Sequence, residues 1–254
     1  NDANFRAHFE GTGPEIWQQM EGKVDAFVAA AGTGGTFAGV SSFLKERREA
    51  VRCVLADCPG SGLKAYVETG EFRGSGEGTL QEGIGIGRLT QNFAKAKADA
   101  AVFVSDAEAL AMAFHLLRHE GLFVGPSAAL NVAAAVKAAR DLPEGAAVVT
   151  VLCDGGTRHL TKFHSDAYLD KLGLLPPPDE LTLRALFDDR ELVHVVVVVV
   201  VRIVLQIVQV GGLGVGGLGG VLLVLPGPLD ALVALALLLG AQVGALGDLC
   251  GCGG

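Results

Sequence analysis

The run VDAFVAAAG, from Val24 to Gly32, is apolar at almost every position and ends on a glycine. A strand with one wet face alternates polar and apolar residues. A near-continuous apolar run instead suits a strand covered on both faces, as in a parallel sheet flanked by helices. Directly after it comes GTGGT (Gly32 to Thr36), then TFAGVSSFLKERREA, with Phe37, Val40 and Leu44 at helical spacing. The segment therefore predicts a buried strand, a glycine turn and a helix, and most sequences that do this build an α/β sheet.

The same grammar repeats down the chain. VRCVLADC predicts a second strand, ending at Asp57 and the turn PGSG, and DAAVFV a third. SDAEALAMAFHLLRHEG predicts a helix opened by a capping box of Ser105 and Glu108 and closed by Gly121. Its expected apolar face runs through Ala107, Leu110, Ala111, Phe114 and Leu117. LFVG predicts a short strand, SAALNVAAAVKAARDL a helix, and AAVVTVLCDGG a last strand ending in a glycine turn. The expected fold class is α/β, a three-layer sandwich around a mostly parallel sheet. Ligands of such sheets bind beyond the carboxyl ends of strands. The turns at Gly32–Thr36, Asp57–Gly62, Gly125–Ser127 and Cys153–Thr157 are therefore the candidate sites.

The turn GTGGT admits two readings on local physics. It can be an anion cradle of converging N–H groups at a helix N-terminus, with Thr33 and Thr36 adding hydroxyls. It can equally be a tight turn with threonine as N-cap. No lysine follows the last glycine, so it is not a P-loop. Ser127 opens a helix and is either its N-cap or a hydroxyl aimed at a ligand. EGIGIGR, with Gly83, Gly85 and Gly87, follows no strong strand and reads as a loop that can lie against a ligand or merely turn. His115 and His119 are spaced i, i+4, but no third ligand is at hand and a solvated helix face explains them; no metal site is expected. His159 and His164 fall in a segment without a ligand pattern. Cys153 reads as a buried thiol.

Composition narrows the classes further. The net charge is −8 and the basic group KERR reads as a solvated last helical turn, which argues against a nucleic-acid surface. The five cysteines, Cys53, Cys58, Cys153, Cys250 and Cys252, form no C-x-x-C pair and suit a reducing compartment. The chain opens on Asn1 with no signal-peptide pattern and reads as a piece of something longer, cytoplasmic or organellar.

Near residue 190 the chemistry of the sequence changes. From Leu192 onward only Arg202, Asp230 and Asp248 are charged. The tail holds a valine run from Val195 to Val201, then GGLGVGGLGG, then the apolar stretch Leu229 to Leu246. LLPPPDE precedes it as a linker. Three readings compete: a membrane segment, a β-rich module, or translated GC-rich sequence that never evolved as protein. The few residue types and the lack of a sustained period favour the last, and membrane attachment is not expected. Gly212, Gly214 and Gly217 match a dinucleotide fingerprint formally, but Pro226 and Pro228 break the region where its helix and second strand belong. The expected division is 1–175 as the enzyme-like part, 176–191 as linker and 192–254 as low-complexity tail.

Seven stretches in this order, TGPEIW, AGTGGTFAGV, DCPGSGL, EGIGIGRLTQNF, SDAEAL, EGLFVGPSAALNVAAA and VLCDGGTRHLTKF, resemble the cysteine synthase (O-acetylserine sulfhydrylase) family of pyridoxal-phosphate enzymes. The resemblance covers about residues 1–175, and it implies the C-terminal part of a tryptophan-synthase-β-like fold (type II). It implies that Gly32, Thr33, Gly34, Gly35 and Thr36 bind the phosphate of pyridoxal 5′-phosphate and that the Ser127 hydroxyl meets the pyridine nitrogen. Gly83, Ile84 and Gly85 would line the substrate side. A serine at that nitrogen makes the ring a weaker electron sink than a carboxylate would, which suits β-replacement. The implied reaction joins an activated serine such as O-acetylserine to sulfide, giving cysteine, in a homodimer. Cystathionine β-synthase is the alternative. A non-catalytic binding remnant that pairs with a complete subunit is the other.

The family's Schiff-base lysine lies upstream of TGPEIW, so none of this chain's lysines is assigned a catalytic role and the chain is expected to be inactive alone. Gly125-Pro126-Ser127 and CDGG depart from the family's usual Gly-Ser-Ser or Gly-Gly-Ser and CDSG.

Overall fold

The computed structural model describes residues 2–143 and 145–175, together with the backbone of Val196–Val201 and Val221–Leu225. The sheet is built from β1 (Ala26–Ala30), β2 (Arg52–Asp57), β3 (Ala100–Phe103), β4 (Ala147–Val151), β5 (Val196–Val201) and β6 (Val221–Leu225), in the order β3-β2-β1-β4-β5-β6. All pairs are parallel except β5 with β6. The valine run thus supplies a strand beside β4. The linker 176–191, the glycine fingerprint and the stretch Leu229 to Leu246 lie outside the described residues. Among the described residues no helix is long and apolar enough to cross a membrane.

Side-chain parity along β1 shows why its sequence lacks alternation. Ala26 and Val28 enter one core with Val54, Ala56 and Val148, while Phe27 and Ala29 enter the other with Cys53, Leu55 and Val149. Helices α5 (Asp106–Glu120) and α6 (Pro126–Ala139) cover the first face. The second is covered by α2 (Gly13–Gln19), α3 (Gly35–Arg47) and α4 (Leu63–Thr69). These are the three layers expected. Phe27, Phe37 and Phe93 stack in sequence through the second core. Each buries on the order of 200 Å² of apolar surface, so this column anchors β1, α3 and the loop before β3 together.

The capping box of Ser105 and Glu108 forms, and Gly121 closes α5 in the left-handed conformation. Four expectations are corrected. First, LFVG is not a strand; only a single antiparallel bridge joins Val124 to Gly155. Second, α5 buries a wider face, through Ala109, Met112, Ala113 and Leu116, while Leu117 is exposed. His115 turns inward with that face rather than sitting in solvent, its ring 4.7 Å from that of His119. Third, the KERR segment is not simply solvated. Lys45 is nearly buried on Asp99 at 2.8 Å, and Arg48 pairs with Asp25 at 3.2 Å, so the helix end is tied to the sheet's amino edge. Fourth, Cys153 is exposed at the end of β4, whereas Cys53 and Cys58 are buried.

An N-terminal helix α1 (Asp2–Ala7) and a π-helical turn (His8–Thr12) pack on α3. Gly39 permits this: a Cβ there would lie 2.6 Å from the Phe5 carbonyl oxygen. A last helix, α7 (Asp166–Lys171), follows the β4 turn.

Candidate functional site

All four expected turns lie at the carboxyl edge of the sheet. The turn after β1 is the sharpest. Gly34 takes the left-handed conformation at φ +82° and caps α3, so neither Thr33 nor Thr36 is the N-cap. No side chain caps this helix. The first-turn N–H groups have no carbonyl ahead of them and stay available, at the positive end of the helix dipole. That arrangement fits a phosphate. The glycines also have reasons within the protein. A Cβ on Gly32 would fall 2.0 Å from the Gly83 carbonyl oxygen, one on Gly34 would overlap Phe93 and one on Gly35 would overlap Asn4.

The threonine hydroxyls are held from the N-terminal segment. Asn4 Nδ2 donates to Thr33 Oγ1 at 2.7 Å. His8 Nε2 lies 3.0 Å from Thr36 Oγ1, and its Nδ1 lies 2.9 Å from Thr12 Oγ1. Thr90 Oγ1 donates to the Thr33 carbonyl at 2.7 Å. The sequence singled out neither Asn4 nor His8, because the segment bearing them carries no periodic or glycine signal of its own; Thr90 lies in the quoted stretch EGIGIGRLTQNF, where only the glycines and Ile84 drew a role.

The loop Gly83–Gly85 reaches the turns after β1 and β2. Gly83 meets Gly32, and a Cβ on Gly85 would fall 2.5 Å from Cys58 Sγ after β2. Gly83 and Gly85 both have positive φ, 78° and 69°. Upstream, Thr79 Oγ1 and the Leu80 amide donate to Asp106 at 2.7 and 2.8 Å. Glu82 accepts from Lys162 Nζ at 2.7 Å and faces His159. Asp57 fixes the turn after β2 by accepting from the Lys64 amide at 2.7 Å; burial raises its carboxyl above the usual range, against the bonds from Ser61 and Lys64.

Ser127 is buried and stands inside α6, not at its cap, which is Gly125. Pro126 is the first helical residue, where the missing N–H has no partner to lose, so this departure from the family pattern is compatible with the helix start. The Ser127 hydroxyl stands near enough to the Cys153 thiol to lower its pKa. Asn131, one turn further on, is fully enclosed. Its Oδ1 accepts from the Ala30 amide at 2.7 Å, and its Nδ2 donates to the Val151 carbonyl at 2.8 Å and toward Cys153 Sγ at 3.4 Å. One side chain thus locks the ends of β1 and β4 to the helix that carries Ser127. Cys153 reaches solvent, yet protein atoms crowd it enough that burial pushes its thiol up. Ser127 and Asn131 pull the other way, and Asp154 adds to the rise. It is a neutral thiol, not a thiolate nucleophile.

The chain's likeness to known proteins agrees with this geometry. Residues 1–154 match the family described as pyridoxal-phosphate dependent enzyme. Cysteine synthase 2 of Schizosaccharomyces pombe is 45% identical over 188 residues, covering 69% of this chain and 48% of the relative. The cysteine synthase of Dictyostelium discoideum is 46% identical over 179 residues, covering 67% and 47%. Cystathionine beta-synthase of Apis mellifera is 37% identical over 177 residues, covering 70% and 34%. A crystal structure of O-acetylserine dependent cystathionine beta-synthase from Helicobacter pylori is 34% identical with a TM-score of 0.58, covering 64% of this chain and 50% of that one. The chain spans about half the length of the cysteine synthases it matches. With its matched residues running from the N-terminal helix through β4 and the glycine turns between, the chain belongs to the pyridoxal-phosphate dependent enzyme family.

Proposed function

We propose that this chain forms the phosphate- and ring-holding part of a cysteine synthase-like β-replacement enzyme, acting on an activated serine such as O-acetylserine and on sulfide. The observation that carries the reading is the uncapped first turn of α3 at Gly34, with Thr33 and Thr36 beside it and the Gly83–Gly85 loop in contact with Gly32. In this reading Gly32, Thr33, Gly34, Gly35 and Thr36 hold the cofactor phosphate, and Ser127 faces the ring nitrogen. Gly83, Ile84 and Gly85 close the substrate side. The cofactor, when bound, supplies the electron sink for loss of the β-substituent. The chain's own residues bind and orient it, and the anion contributes about 0.3–1 kcal/mol through the helix dipole and more through direct N–H bonds.

The fragment itself is proposed to be inactive. Lys45, Lys64, Lys95, Lys137 and Lys162 each pair with a carboxylate. Lys162, which pairs with Glu82 of the substrate-side segment, is held protonated: its hydrogen bond to Glu82 raises its pKa. A lysine that forms a Schiff base must instead be neutral. A cystathionine β-synthase-like thiol acceptor is the second reading, supported by the Apis mellifera and Helicobacter pylori relatives. A homodimer, or a pairing with a complete subunit, is the assembly proposed. The buried free thiols of Cys53 and Cys58 suit a reducing setting, cytoplasmic or organellar. Titration of the isolated chain with pyridoxal 5′-phosphate tests the reading: saturable binding is expected, and no binding contradicts it. Assay with O-acetylserine and sulfide tests the inactivity: no turnover above free cofactor is expected, and measurable enzymatic cysteine formation contradicts the inactivity.

A further inference from the structure

His159 stands between two carboxylates from distant parts of the chain. Its Nε2 lies 2.8 Å from Asp154 Oδ2 and its Nδ1 lies 3.5 Å from Glu82 Oε2. The side chain is only 7% exposed. Asp154 in turn sits over the start of α6. Its carbonyl accepts from the Gly125 amide at 3.0 Å, and a Cβ on Gly125 would fall 2.1 Å from Asp154 Oδ1 and 3.0 Å from His159 Cδ2. That Oδ1 is buried with no hydrogen-bond partner among the described residues. Gly125 is therefore glycine because the Asp154–His159 pair occupies the place of its side chain. On the other side Glu82 immediately precedes Gly83, whose carbonyl rests on Gly32.

We propose that His159 is a positioning residue that ties the segment Glu82–Gly85 to the start of α6. The inference rests on reading Gly83–Gly85 and Ser127 as two sides of the cofactor site. Each ring nitrogen faces one carboxylate, so the imidazole links the turn after β4 to the residue that precedes Gly83. Without the ring, Glu82 keeps Lys162, in an exposed pairing worth little in water, and the more distant charge of Arg158. Loss of the ring therefore loosens the substrate-side segment.

The test is backbone hydrogen exchange of residues 81–88 in the full chain and its variants at one pH. Protection of that segment is expected to fall up to about fivefold in His159→Gln and in Glu82→Gln, the scale of one ion pair of about 1 kcal/mol, while α5 keeps its protection. Lys162→Gln, which leaves His159 in place, should lower it less. Glu82 is 44% exposed, so its variant keeps the test sound where His159→Gln unfolds. Undiminished protection in Glu82→Gln, or an equal loss in Lys162→Gln, overturns the tie. Titration with pyridoxal 5′-phosphate runs alongside. Failure of the unmodified chain to bind it, with protection lost in Glu82→Gln, defeats the cofactor-site reading and leaves the tie. Tight binding, with protection unchanged in Glu82→Gln, defeats the tie and leaves the site.

Discussion

Two glycine-rich segments touch at the carboxyl edge of the sheet, and they are held by different means. Gly32–Thr36 is clamped locally, between a buried strand and a helix, with Phe93 and Asn4 filling the places of the missing side chains. Gly83–Gly85 belongs to no strand or helix; among the described residues a Cβ on Gly83 would meet nothing within 4 Å. It is held at its ends, by Asp106 through Thr79 and Leu80, and by Glu82 toward Lys162 and His159. The first segment is a fixed turn, the proposed anion seat. The second is a strap whose position depends on long-range side-chain bonds. That division suits a site in which one part grips a cofactor permanently and another must admit and release a substrate.

The largest expected effect comes where the two segments meet. Gly32→Ala drives a Cβ to 2.0 Å from a backbone oxygen. Neither backbone yields cheaply, so a loss of about 3 kcal/mol is expected in urea unfolding, together with displacement of the strap. Survival of wild-type stability in that variant would mean the contact is not a fixed part of the fold. The next pair separates the segments directly. Gly34 and Gly83 both have positive φ, yet only Gly34 is crowded. Gly34→Ala should cost about 3 kcal/mol, backbone strain plus the Phe93 overlap. Gly83→Ala should cost about 1 kcal/mol from strain alone. Equal losses in the two unfolding curves would erase the distinction between seat and strap.

Next in size is the support beneath the seat. His8→Ala removes hydrogen bonds to Thr36 and Thr12 and should cost about 1 kcal/mol, with a severalfold loss of cofactor affinity measured by titration. An unchanged affinity would show that Thr36 is oriented without it. The smallest effect concerns pH. Burial holds His164 below 6.5, opposing its bond to the Val124 carbonyl, and the charge on His159 lowers it further. Its contribution to stability is full above pH 6.5 and is lost as pH falls through the lower folded value. The urea midpoint should therefore fall less between pH 7 and pH 5 in His164→Gln than in the unmodified chain, and an identical fall would remove His164 from the account.

The seat was legible in the sequence because everything that makes it is contiguous: an apolar run, a glycine turn and a helical period. The capping box of α5 was legible for the same reason, with Ser105 and Glu108 three residues apart. The strap's loop character was legible too, but not what holds it. Glu82 and His159 are joined only by the fold, and no period or spacing marks such a pair. The same blindness hid Asn131, which reads as an unremarkable helix residue until β1 and β4 are seen to end beside it. It also misplaced His115 and Leu117. A helix's apolar face is read from types of residue, whereas packing against α6 decided which side of α5 turned inward.

The central claim is that the first turn of α3 seats a phosphate. It is tested most directly by titrating the chain with pyridoxal 5′-phosphate and with pyridoxal, which share the aldehyde and ring and differ in the phosphate. Both can react with surface lysines, so the difference between them isolates the seat. The phosphate ester should bind at least about tenfold more tightly, as hydrogen bonds to a charged group worth about 1.5–3 kcal/mol require. Equal affinity for the two would contradict the claim.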